Sequence, residues 1–154
     1  MNIVLVEPEI PGNTGSIARN CAATGTRLHL VRPLGFSVED KYLKRAGLDY
    51  WPLVDITYYD SFREVQERFP EGRFHYLTTK AEQCYHEVFF GPEAFLVFGR
   101  ETRGLPEELL AANREHCLRI PMRDLPEARS LNLSNAVSIV LYEALRQNGF
   151  AGLR

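Results

Sequence analysis

The stretch Asn2-Ile-Val-Leu-Val-Glu-Pro-Glu-Ile-Pro-Gly-Asn-Thr-Gly-Ser-Ile-Ala-Arg-Asn20 decides the fold class. Ile3–Val6 is an unbroken apolar run, which reads as a strand buried on both faces. Pro8-Glu-Ile-Pro-Gly12 then turns the chain. Thr14–Thr24 reads as a helix, with Asn13 or Thr14 as its cap and Gly25 at its end. A buried strand that runs through a short loop into a helix is the opening of a parallel βαβ arrangement.

The alternation continues along the chain. Leu28–Arg32 is the next strand, stopped by Pro33, and Glu39–Ala46 a short polar helix. Ile56–Tyr59 is a third strand, followed by a helix over Ser61–Phe69. Phe74–Thr78 and Ala94–Phe98 are the fourth and fifth strands. Pro106 opens a helix to about Asn113, where a proline at the first helical position is well placed. Cys117–Ile120 is the sixth strand, and Ser134–Gln147 the last helix, ending at Asn148-Gly149. The expected fold is α/β, a largely parallel six-stranded sheet with helices on both faces, in a single domain over residues 1–154. Ligands bind beyond the carboxyl ends of such strands. That points to the loops after Val6, Thr78, Phe98 and Ile120.

Composition supports a globular reading. The 154 residues are 45% hydrophobic and 25% charged, with a formal charge of -2. A chain of this length can bury a real core without staples. No apolar stretch approaches the ~20 residues that span a bilayer, and no cationic-then-apolar leader opens the chain. Cys21, Cys84 and Cys117 are odd in number and widely spaced, which reads as free thiols in a reducing cytoplasm and as no metal site. His29 and His75 lie inside apolar runs and read as strand residues. Of the 18 basic residues 15 are Arg, whose planar fork suits phosphate and carboxylate.

Three loops hold the unusual residues. Pro8–Asn20 places backbone amides and a helix start where an anion can bind, although it lacks the Gly-x-Gly-x-x-Gly and Gly-Lys-Ser/Thr patterns. Arg19 lies one and a half turns into that helix, within reach of a phosphate or sugar. In Phe98-Gly-Arg-Glu-Thr-Arg-Gly-Leu-Pro106, Gly99 and Gly104 allow close approach of a ligand. There Glu101 is flanked by Arg100 and Arg103, either of which suits a bidentate pair with it. In the third loop, Ser130, Asn132, Ser134 and Asn135 crowd the start of an apolar helix, more polar groups than capping requires. That helix carries Leu133, Val137, Val140, Leu141, Ala144 and Leu145 on one stripe, widened by Ala136, Ile139 and Tyr142. The width implies burial against a second body, most simply a homodimer.

In this order the three segments resemble the signature motifs of the SPOUT superfamily of RNA methyltransferases. The carriers are Asn13-Thr-Gly-Ser-Ile-Ala-Arg19, Phe98–Pro106, and Ile120-Pro-Met122 with Ser130-Leu-Asn-Leu-Ser-Asn-Ala136. The opening Asn2–Pro11, Arg45-Ala-Gly-Leu-Asp-Tyr50 and Leu77-Thr-Thr-Lys80 are similar to the small YibK/TrmL group. The resemblance spans essentially the whole chain. It departs at Arg100, where that group often has a small residue or Pro, and at the somewhat long loop Arg123–Arg129.

The resemblance implies a methyl transfer from S-adenosylmethionine, without metal, to the ribose 2′-hydroxyl of the wobble nucleotide of tRNA. It also implies a homodimer through the C-terminal helix and a C-terminal trefoil knot, which no sequence pattern suggests since knots are nearly absent from folds. By carry-over, Leu77, Gly99, Gly104, Ile120, Met122 and Ser130 are expected to hold the cofactor. Arg19, Glu101 and Asn132 are expected at the acceptor ribose. Asn13, Arg19, Lys41, Lys44 and Arg45 are expected to bind tRNA. Another tRNA or rRNA position, or a non-catalytic RNA- or nucleotide-binding module on the same fold, are the alternatives.

Overall fold

A computed structural model describes residues 1–37 and 48–154. Six strands form one sheet: β1 (Asn2–Val6), β2 (Arg27–Val31), β3 (Ile56–Tyr59), β4 (Phe74–Leu77), β5 (Phe95–Phe98) and β6 (Cys117–Leu118). Their order is β3-β2-β1-β5-β4-β6, and every pairing is parallel. The helices are α1 (Pro11–Thr24), α2 (Phe62–Arg68), α3 (Glu107–Ala112) and α4 (Leu133–Gln147), joined by short 3₁₀ turns such as Leu48–Leu53. The expected helix over 39–46 lies outside the described residues.

Side-chain alternation divides the interior in two, because successive residues of a strand point to opposite faces. Ile3 and Leu5 of β1 face one side, where they meet Ile17 and Ala18 of α1 and Val137, Val140 and Leu141 of α4. Val4 and Val6 face the other side, with Val65 of α2 and Tyr76, Phe95, Val97 and Leu105. All of β1 is buried. This explains why its sequence has no polar alternation: neither face meets water.

A few buried polar groups interrupt this interior, and His29 is the titratable one among them. His29 of β2 is 2% exposed. Its Nε2 lies 3.0 Å from Asn2 Oδ1 and its Nδ1 2.9 Å from the Tyr59 hydroxyl. Both ring nitrogens are therefore satisfied, and burial lowers the His29 pKa to about 4. The histidine is a neutral strand residue, as its apolar flanks suggest.

The element boundaries differ from expectation at informative places. Helix α1 begins at Pro11, and neither Asn13 nor Thr14 caps it with a side chain. Proline at a helix start gives up no needed hydrogen bond, and the Asn13 side chain is used elsewhere. Gly25 ends the helix in the left-handed region at φ 68°. Pro106 is the cap preceding α3, not its first residue. Strand β6 stops at Leu118, because Arg119 turns aside to bridge Cys84 and Pro121 has no N–H to extend the ladder. Helix α4 starts at Leu133, one residue early, under the Asn132 cap.

Candidate functional site

The strand order reverses between β1 and β5. From β1 the chain runs outward through β2 to β3, then returns to β4 on the far side before β5 fills the gap. The loops after β1 and β5 therefore diverge and leave a crevice at the carboxyl edge. A cavity of about 510 Å³ opens there. Its walls come from the ends of β4, β5 and β6 and the start of α4, with Ile10 and Asn13 from the first loop.

The structure gathers most of the expected site residues into this cavity. Leu77, Gly99, Gly104, Ile120, Met122 and Ser130 all line it, as do Asn13, Glu101 and Asn132. Arg19 does not. It projects from the exposed side of α1, with its guanidinium 5.0 Å from the centroid of the Tyr50 ring. Lys41, Lys44 and Arg45 lie outside the described residues.

The loop after β5 is an arch closed by its own backbone. Gly104 N donates to Arg100 O at 2.9 Å. A Cβ built on Gly99 would lie 2.2 Å from Gly104 C and from Leu105 N. No side chain fits at residue 99 without forcing the arch open. The rigid backbone rim so formed faces Leu105, Leu118, Ile120, Leu133 and Ala136. A pocket with an apolar wall on one side and polar groups along its rim suits a ligand that joins a flat ring to a polar tail.

Glu101 accounts for the first loop. Its Oε2 accepts Glu9 N at 2.8 Å, and its Oε1 accepts Ile10 N at 3.0 Å and Asn13 Nδ2 at 3.4 Å. The anion at the positive end of α1 is thus the protein's own carboxylate. The expected pairing of Glu101 with Arg100 or Arg103 does not form. Arg100 instead meets Glu7 at 3.1 Å, with Glu7 held at φ 53°, and the buried Arg100 Nε has no hydrogen-bond partner. Glu9 returns the contact across the crevice: its carboxylate accepts Thr102 N at 3.2 Å and Thr102 Oγ1 at 2.9 Å.

Asn13 joins these loops to the third. While its Nδ2 serves Glu101, its Oδ1 accepts Asn132 Nδ2 at 3.0 Å. Asn132 Oδ1 in turn accepts Ser134 N at 2.9 Å, Ser134 Oγ at 2.6 Å and Asn135 N at 3.3 Å. The polar excess before α4 is thereby largely explained. Asn132 caps the helix, Ser134 adds to the cap, and Ser130 remains exposed on the cavity lip. One chain of contacts, Glu101–Asn13–Asn132, ties the three motifs together.

Sequence reasoning passed over Thr78, Leu131, Leu133 and Ala136, which also line the cavity. Leu133 and Ala136 sit on the apolar stripe of α4, and nothing in a helical stripe separates a wall residue from a core residue. Arg103 and Arg129 give the rim positive charge, while the charge of Arg100 is offset by Glu7. No histidine lines the cavity. Among the described residues no group of three or more His, Cys, Asp or Glu could hold a metal ion, and no helix is long and apolar enough to cross a membrane.

Known proteins resemble this chain in sequence and fold. The SpoU rRNA Methylase family matches residues 1–142. A tRNA (cytidine(34)-2'-O)-methyltransferase of Saccharophagus degradans is 55% identical over 156 residues, covering 98% of this chain and 97% of its own. A solved structure concerned with 2-OH methylation of C/U34 on tRNA superposes with a TM-score of 0.89 at 48% identity, covering 96% of this chain and 95% of that one. The SpoU methyltransferase AviRb from Streptomyces viridochromogenes, in complex with the cofactor AdoMet, superposes at 0.80 with 26% identity, covering 96% of this chain and 60% of that one. With the family matching across all three loops and both sides of the crevice, this chain belongs to the SpoU rRNA Methylase family.

Proposed function

We propose that the protein methylates the ribose 2′-hydroxyl of the wobble nucleotide in the tRNA anticodon, with S-adenosylmethionine as donor. The observation that carries this reading is the convergence of the turns after β4, β5 and β6 on one cavity beside the Glu101–Asn13–Asn132 contacts. It is supported by relatives of nearly equal length that carry that name. The donor supplies an electrophilic sulfonium methyl, so the protein's task is placement. In this reading Leu77, Gly99, Gly104, Ile120, Met122 and Ser130 hold it, which their lining of the cavity supports. The backbone rim and apolar wall fit an adenosyl group joined to an amino acid.

The site's own residues restrict who can take the hydroxyl proton. Glu101 spends its carboxylate on three N–H donors of the first loop, so in this reading it positions that loop and is not assigned the proton. A guanidinium is a poor base as well. In this reading Arg19 binds the adjacent phosphate and orients the hydroxyl. Arg19 lies outside its own cavity, so it is supplied as Arg19 of the partner subunit in a homodimer. Support for the dimer comes from the broad apolar face of α4, where Ile139 and Tyr142 remain 37% and 45% exposed.

The same reading includes a single domain over 1–154, supported by one sheet with a core on each face. It includes cytoplasmic location, supported by three free cysteines. It includes a C-terminal trefoil knot, supported by the closeness of the loops after β4, β5 and β6 around one cavity. The deciding experiment is transfer of labelled methyl to tRNA, followed by mapping of the modified nucleotide. Label in the ribose of nucleotide 34 is expected. Transfer to a different position, or none to any RNA, overturns the proposal. Arg19→Lys is expected to lose most turnover, and near-normal turnover would remove the bidentate role of Arg19.

A further inference from the structure

We propose that Arg32, Phe36 and Tyr58 form a stacking subsite for an unpaired nucleobase adjacent to the nucleotide that enters the main cavity. The inference rests on the RNA-methylating reading above and adds a recognition element to it. Strands β2 and β3 end at Val31 and Tyr59, on the same carboxyl edge of the sheet as the cavity. Around these ends Arg32, Pro33, Leu34, Phe36, Tyr58 and Asp60 line an open hollow of about 730 Å³. The Arg32 guanidinium stands 5.0 Å from the Tyr58 ring centroid and 3.4 Å from the Asp60 carboxylate.

This hollow is physically joined to the site. Gly35 N donates to Pro8 O at 2.9 Å. A Cβ on Gly35 would lie 2.7 Å from Glu9 Cα, so the two loops meet backbone to backbone. Glu9 N is the amide that Glu101 holds, and the next residue, Ile10, lines the cavity while 47% exposed. A continuous rim therefore runs from the hollow over Pro8–Ile10 into the cavity. At ~4.8 Å per strand the hollow is about 10–15 Å from the β1/β5 crevice, a distance one single strand can bridge.

The chemistry favours a base over a phosphate. Asp60 offsets the charge of Arg32, so the patch offers aromatic and guanidinium faces with little net charge. Unpaired RNA bases stack on such faces, with tolerance for base identity.

The test uses the full chain, S-adenosylmethionine and an anticodon stem-loop RNA carrying 2-aminopurine next to the target nucleotide. Tyr58→Leu and Phe36→Leu are each expected to weaken RNA binding by roughly 5- to 150-fold, the range for one stacked base. Donor binding should be unchanged, and the slope of affinity against salt should stay at the wild-type value, since no phosphate contact is lost. Tyr58→Phe should retain affinity. The 2-aminopurine quenching on binding should vanish in Tyr58→Leu. If Tyr58→Leu fails to fold, the exposed Arg32→Gln carries the same expectation. Wild-type affinity and quenching in the leucine variants and in Arg32→Gln overturn the subsite. Failure of the unaltered protein to methylate any tRNA is a separate result, which overturns the underlying reading.

Discussion

Glu101 stands between two arginines in the sequence and binds neither in the structure. Its carboxylate serves two backbone amides and the Asn13 amide, which demand acceptors on both oxygens. Glu101→Gln therefore turns one acceptor into a donor that faces an N–H. At this half-buried position an unsatisfied pair costs about 1 kcal/mol. Urea denaturation should show that loss, and donor KM should rise as the loops separate. Unchanged stability would mean the carboxylate is dispensable as a clasp. At Gly99 the argument is steric. Gly99→Ala places a Cβ 2.2 Å from backbone atoms that cannot swing away. Calorimetric titration should show donor binding weakened at least tenfold, whereas Gly91→Ala, with nothing within 4 Å, should bind as the unaltered protein does.

Among the elements, β2 and α4 carry separable consequences. Strand β2 buries His29 in its neutral form, with a folded pKa of about 4 against 6.5 for the free side chain. The unfolded chain therefore binds the extra proton first. The contribution is complete above pH 6.5 and is lost as pH falls from there toward 4, at most roughly 3 kcal/mol. His75, which packs edge-on against Phe90 at 4.9 Å, is lowered to about 4 by burial as well and acts in the same sense. Denaturant midpoints measured from pH 7 to pH 4 should fall steadily, and His29→Gln should flatten that slope. A slope that is unaltered in His29→Gln would place the titration elsewhere. Helix α4 depends on one cap: Asn132→Ala removes acceptors for Ser134 N and Asn135 N as well as the link to Asn13. About 1–2 kcal/mol of stability should disappear, and turnover should fall more than a surface cap change explains, because the tie between motifs is cut.

For the whole molecule the decisive feature is the strand order β3-β2-β1-β5-β4-β6. It brings residues about ninety positions apart, such as Glu9 and Thr102, into hydrogen bonds across one crevice. It leaves α1 and α4 side by side on one face, with Arg19 and the exposed Ile139 and Tyr142 at the surface. If that face is the dimer contact, a charge placed on it separates the subunits. Ile139→Glu with Tyr142→Glu should elute as a monomer in light-scattering chromatography and lose turnover, because Arg19 is then not supplied. A charged variant that remains dimeric and active would exclude this face.

What the amino-acid sequence determined by itself was local and periodic. Unbroken apolar runs such as Ile3–Val6 announce strands buried on both faces, Gly25 ends a helix, and the pattern of elements selects a parallel α/β sheet. Those signals depend on residues close together in the chain, so they can be read in a line. The motif residues were legible as a set, through their order and spacing. Their partners were not. That Glu101 would turn from Arg100 to the start of α1 and that Asn13 would join two loops instead of capping a helix follow from strand order, and that Arg19 would face away from its own cavity follows from its place on the exposed side of α1. Only the assembled sheet decides which chain segments share an edge, and hydrogen bonds form between groups that share space, whatever their separation in sequence.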